Sequence, residues 1–156
     1  MATTPNDTLP ESWHRHFAAQ ANNRAWDLSE ARGDALLDHD LLNTAHAAAW
    51  HWSVVGTELH QMRATMLLAH VHALLGHGRT AWGYAEAMRR AFLAWPETPD
   101  WELAFVHAIH AHAASVAGER EAHAASWEEA RRSVEAIADP EDRAIVLKTW
   151  AQVPAP

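Results

Sequence analysis

Apolar residues recur three and four positions apart along almost the whole chain, the spacing that gathers side chains on one helix face, and no stretch shows the strict alternation of a half-buried strand. The first such stripe runs through Trp13, Phe17, Ala21, Ala25 and Leu28 and predicts a helix over about Pro10 to Ser29. Gly33 and Asp34 stop and restart the pattern, giving a second helix to about Trp52. Gly56, Thr57 and Glu58 then supply a stop followed by a capping start, and the third helix ends at Gly76. A fourth covers about Thr80 to Trp95, where Pro96 and Pro99 forbid continuation. Asp100 is placed to cap a fifth helix that ends at Gly118, and a sixth reaches about Ala138. Asp139-Pro140, a cap followed by proline in the first turn, opens a short seventh helix ending near Trp150. Residues 1–10, with two prolines among small polar residues, read as a mobile tail ahead of one helical domain over 11–156.

Shifting the chain by 42 residues superposes two helix pairs. Ala69 falls on Ala111, Leu74 on Val116 and Gly76 on Gly118, and the stripe Ala81, Ala85, Met88, Phe92, Trp95 falls on His123, Trp127, Ala130, Val134, Ile137. Helices three plus four and five plus six are therefore two copies of one hairpin, with helices one and two a degenerate first copy and the seventh a cap. The predicted fold class is an all-α, right-handed solenoid of helical hairpins with about seven helices. The small residue at 69 or 111, the glycine at 76 or 118 and the alanine at 130 resemble the tetratricopeptide (TPR) pattern, although Thr65 and His107 stand where that pattern has a large aromatic. More widely, the stretches AHAAAWHW (45–52), RATMLLAHVHALLG (63–76), DWELAFVHAIHAHA (100–113) and ADPEDR (138–143) resemble an uncharacterised bacterial family of small TPR-like proteins. That pattern favours glutamate and arginine where this chain has Thr65 and His70, and again Ala108 and His112, so the resemblance implies a charged cluster exchanged for imidazoles.

Composition narrows the partners. Twelve basic against 20 acidic residues give a formal charge of -8, which argues against nucleic acid and against an anionic membrane face. No apolar run approaches the roughly 20 residues that span a bilayer, and MATTPNDTLPES lacks the basic-then-apolar pattern of a signal peptide, which points to the cytoplasm. Without cysteine, any transition metal would rest on carboxylate and on the 13 histidines. Free imidazole titrates near neutrality, and protonating all 13 side chains would reverse the sign of the net charge.

The first helix of each stacked pair lines the concave face of such a solenoid, so His70 and His112, matched by the repeat, are expected level with one another in the groove. Helix axes 8–10 Å apart allow two inward imidazoles to close on one ion with bonds of about 2.0–2.1 Å. Arg63 and Met66 share that face, and the set Arg63, Met66, His70 and His112 suits an anionic ligand or a soft metal such as copper. A second candidate metal shell joins His107 and His110, spaced i and i+3, to His72 on the adjacent helix; His46 on helix two is a further candidate. Packing with local hydrogen bonds is the competing reading for all four, and Arg63 has many carboxylates with which to pair.

No glycine-rich phosphate loop, HExxH, nucleophile elbow or Cys-His pair is present. The first functional reading is a binding module whose histidine-lined groove holds a small anionic molecule, a peptide segment or a metal ion. An enzyme using copper, zinc or iron on these histidines and acting on a small metabolite is the alternative, and a cofactor-free protein–protein adaptor the third. Oligomeric state stays open.

Overall fold

The computed structural model of the protein describes residues 4–6 and 8–156. Seven helices account for its regular structure: α1 Pro10–Glu30, α2 Ala35–Val55, α3 Glu58–Leu74, α4 Gly78–Leu93, α5 Asp100–Ala117, α6 Arg120–Ala136 and α7 Pro140–Trp150. No strand occurs among the described residues. The tail expected over residues 1–10 falls partly outside them, and α1 already begins at Pro10.

Local signals set most boundaries. Asp34 caps α2 by accepting from Leu36 N, and Asp139 caps α7 by accepting from Glu141 N and Asp142 N, with Pro140 in the first turn. At α3 the Thr57 hydroxyl accepts from His60 N while His60 Nδ1 accepts from Thr57 N, so an imidazole fills the place that glutamate usually takes in a capping box. Asp100 does not cap α5 as expected. Pro99 is the N-cap, and the Asp100 carboxylate instead accepts from Trp101 N at 2.7 Å and from Ala138 N at 3.0 Å, tying the start of α5 to the α6–α7 connection.

The 42-residue repeat is visible in backbone hydrogen bonds. After α3, His77 N donates to His72 O and Gly76 N to Ala73 O; after α5, Glu119 N donates to Ala114 O and Gly118 N to Ser115 O. Both are helix ends closed through a left-handed glycine, with φ of +74° at Gly76 and +81° at Gly118. Most of each matched stripe is buried: Ala81, Ala85, Met88 and Phe92 in α4, and His123, Ala130 and Val134 in α6 with Ile137 just after it.

Sequential helices pack as neighbours, and the odd-numbered helices also touch in succession, α1 on α3, α3 on α5 and α5 on α7. The largest apolar cluster joins Met66, Ala69, Phe92, Phe105, Ile109 and Val146, and a second joins Leu28, Leu41, Leu67 and Val71; Trp26 packs against both.

The α3–α4 turn carries a constraint that the sequence pattern does not announce. A Cβ at Gly78 would clash with the backbone oxygen of Val116 in α5. Alanine in the first turn of a helix ordinarily gains on glycine by up to ~1 kcal/mol. Here we expect Gly78→Ala to destabilise the fold by about 1–3 kcal/mol instead, because α4 and α5 must separate. Urea denaturation reads the sign, and a stabilised variant would contradict the close approach.

Candidate functional site

His70 lies on α3 and His112 on α5, both turned into the protein. His70 is fully buried, and neither of its ring nitrogens has a hydrogen-bond partner among the described residues. Its ring stacks on the indole of Trp26 from α1, with centroids 5.2 Å apart and planes 24° apart. His112 is buried as well, with an unpartnered Nδ1. Burial pushes His70 down to about 3, helped by the nearby His112 and Arg32 charges, and pushes His112 down to about 4, helped by His123 and Arg32. Both imidazoles are therefore neutral at pH 7, each with one donor and one acceptor nitrogen.

The pocket that Trp26 lines does not include this pair in its walls. A pocket of about 330 Å³ opens among four odd-numbered helices: Trp26 and Glu30 from α1, Arg63 and Met66 from α3, Trp101 and Phe105 from α5, and Ile145 and Thr149 from α7. Trp26 thus both lines the pocket and stacks on His70. The Phe105 ring packs 5.6 Å from Trp26 and 6.2 Å, edge to face, from Trp101, giving the pocket three aromatic walls. Arg63 and Met66, expected in the groove from their spacing to His70, do line it. His70 and His112 lie outside its lining.

Arg63 is held in a way that changes its chemistry. Its guanidinium donates twice to Glu102, Nε to Oε1 at 2.6 Å and a terminal nitrogen to Oε2 at 3.0 Å, and sits 5.6 Å from the Trp101 ring centroid. The Glu102 side chain is 2% exposed and that of Arg63 is 43% exposed. Hydrogen bonding to the carboxylate raises the Arg63 pKa further. A second pocket of about 220 Å³, lined by Leu59, Phe92 and Trp95, also borders this ion pair. Glu30, at the pocket rim, pairs with Lys148 at 3.3 Å.

The second predicted cluster is divided between two places. His72 does not join His107 and His110. Its Nε2 meets His46 Nε2 at 3.0 Å and its Nδ1 meets His77 Nδ1 at 2.9 Å, while its ring stacks on Tyr84. The angular position of His72 on α3 turns it to α2 and to the α3–α4 turn, not to α5. Burial, with His46 and His77 beside it, lowers His72 to about 4. Since both His72 nitrogens are engaged on opposite sides of one ring, the three imidazoles form a chain and do not surround a common point.

His110 links Ser126 and Glu86, with Nδ1 2.7 Å from the serine Oγ and Nε2 2.7 Å from the carboxylate. The carboxylate can only accept, so Nε2 carries the proton and the neutral ring accepts the serine hydroxyl at Nδ1. The order resembles a serine–histidine–carboxylate relay turned inside out, since Ser126 is buried and the Glu86 side chain is 44% exposed. It joins α4, α5 and α6 and presents no nucleophile to the surface. His107 is buried with an unpartnered Nδ1, and burial lowers its pKa. Among the described residues, no three or more histidine, aspartate or glutamate side chains are grouped to hold a metal ion.

Residues that spacing did not single out make most of the pocket: Trp26, Trp101, Glu102, Phe105, Ile145 and Thr149. Trp26 and Trp101 were visible as aromatics on helices, but only the packing of α1 and α7 against α3 and α5 brings them together. No helix among the described residues is long and apolar enough to cross a membrane. No protein-family model, curated protein or solved structure matches the chain.

Proposed function

We propose that the protein is a TPR-like helical-repeat binding module whose ligand pocket lies among α1, α3, α5 and α7 and takes a small, flat, largely apolar molecule. The observation that carries this reading is the pocket of about 330 Å³ walled by Trp26, Trp101, Phe105 and Met66. Its size falls at the lower end of small-molecule sites, and its apolar lining with a few polar groups at the edge is typical of them. Its position supports a solenoid in which the first helix of each pair faces the ligand, as does the repeated turn geometry at Gly76 and Gly118.

The pocket's charges explain the preference for an uncharged ligand over the anion suggested by Arg63 alone. That guanidinium is already neutralised by Glu102, and Glu30 is paired with Lys148. An incoming anion would have to compete with a bidentate carboxylate for the same donors. Each of the charged residues lining the pocket, Glu30, Arg63 and Glu102, is thus already in an ion pair, which favours a binding role for the pocket.

Toluene serves as the test probe, followed through the indole N–H signals in a proton–nitrogen correlation spectrum. Saturable shifts of the Trp26 and Trp101 signals are expected, with affinity falling about tenfold in Trp101→Ala, the order of one lost aromatic contact. Absence of a saturable shift, or shifts confined to other tryptophans, would sink the reading.

A further inference from the structure

Resting on that pocket, the geometry points to a second, hidden chamber behind Trp26: the indole swings aside and admits a ligand whose neutral amide-like edge bonds to His70 and His112. The bound molecule would then be a flat ring carrying an adjacent hydrogen-bond donor and acceptor, such as an aromatic carboxamide or lactam, with the ring in the aromatic pocket and the polar edge directed inward.

Three observations converge on this. First, His70 is fully buried with neither ring nitrogen partnered among the described residues, and the same holds for Nδ1 of the buried His112. Buried polar atoms in proteins nearly always find partners, so an imidazole with none is an incomplete arrangement that a ligand can complete. Second, among the described residues Trp26 is the one side chain that both stacks on His70 and lines the pocket. It is partly buried and lines the pocket together with Trp101 and Phe105, so a swing of its indole away from His70 is the motion the chamber requires. Third, the interior around the two imidazoles resists charge. Arg32 acts on both rings, His112 on His70 and His123 on His112, and all three groups are basic, so each opposes protonation of the ring beside it. Neutral imidazoles offer donor and acceptor together, which matches a carboxamide better than a carboxylate or an ammonium group.

Benzamide and toluene titrations, run on the wild type and on His70→Phe, separate this chamber from the outer pocket. In the wild type we expect nuclear Overhauser contacts between benzamide and the His70 ring. In His70→Phe the ratio of benzamide to toluene affinity falls about tenfold, the value of one hydrogen bond, while toluene binding is retained. Benzoate should bind more weakly than benzamide. An unchanged ratio with no contact to the His70 ring would overturn the chamber yet leave the outer pocket standing, whereas loss of all probe binding in the wild type would overturn both. Because the contact to His70 is read in the wild type, the outcome does not depend on the folding of the variant; His112→Phe gives a second, independent substitution with the same expected fall.

Discussion

Lowering the pH from 7.5 to 5 is expected to cost the protein about 4 kcal/mol of folding stability through His70 and His112 alone. Each imidazole titrates near its ordinary 6.5 when the chain is unfolded, but at about 3 and about 4 respectively in the fold. Between those values the unfolded chain takes up protons that the folded interior refuses, so stability declines as pH falls through the window from 6.5 downwards. One fully buried imidazole contributes roughly 1.4 kcal/mol per pH unit there. His72, His107 and His110 shift in the same direction and steepen the decline. A domain with the usual 5–15 kcal/mol of stability would lose a large share of it before most carboxylates titrate. Urea denaturation at pH 7.5 and at pH 5 checks the slope. His70→Phe and His112→Phe should each remove about 2 kcal/mol of the difference between the two pH values. A stability that is flat between pH 7.5 and 5, or a slope indifferent to both substitutions, would mean that these imidazoles are hydrated or paired in the native protein.

What was legible in the sequence and what was not divides along the range of the interactions. Gly76, Gly118, Thr57 and Asp139 act within a few residues of themselves, and the helix ends that they set are where the local pattern put them. Burial of His70 and His112 follows from their place on apolar faces of repeated helices, a periodic property. The partner chosen by a buried polar group is a different matter, because it depends on helix rotation and on elements distant in sequence. His72 faces α2 and not α5, a difference of rotation on α3 that spacing alone does not fix. Asp100 sits one residue inside its helix, where its carboxylate reaches Ala138 N across 38 residues. Ser126 lies on α6, 16 residues from His110, with no spacing to betray the link. The pocket itself needs α1 and α7, two of the three helices outside the matched hairpins, so the repeat of α3 and α5 points to Arg63 and Met66 but not to Trp26 and Ile145.

Glu102 is the sharpest case of a long-range pairing, and it yields the second large expected effect. Position 102 reads as one acidic residue in the first turn of α5, an ordinary surface choice near a helix N-terminus, yet its side chain is almost wholly buried. Among the described residues, Arg63 is the ion-pair partner of its charge, through the two hydrogen bonds at 2.6 and 3.0 Å. Arg63→Met should therefore destabilise the protein by about 3–5 kcal/mol, because it strands a buried carboxylate. Glu102→Gln should cost less, about 1.5–3 kcal/mol, since the partly exposed guanidinium keeps access to water when its charged acceptor is gone. Combining Arg63→Met with Glu102→Leu removes both charges and fills the space with apolar groups, and most of the loss seen in Arg63→Met should return. The diagnostic is this order, measured by denaturant unfolding at pH 7.5: the single arginine variant least stable, the glutamine variant intermediate, the double variant close to wild type. An additive double variant would show that the two side chains do not act as a pair, and Arg63 would then be free to meet an anion in the pocket after all.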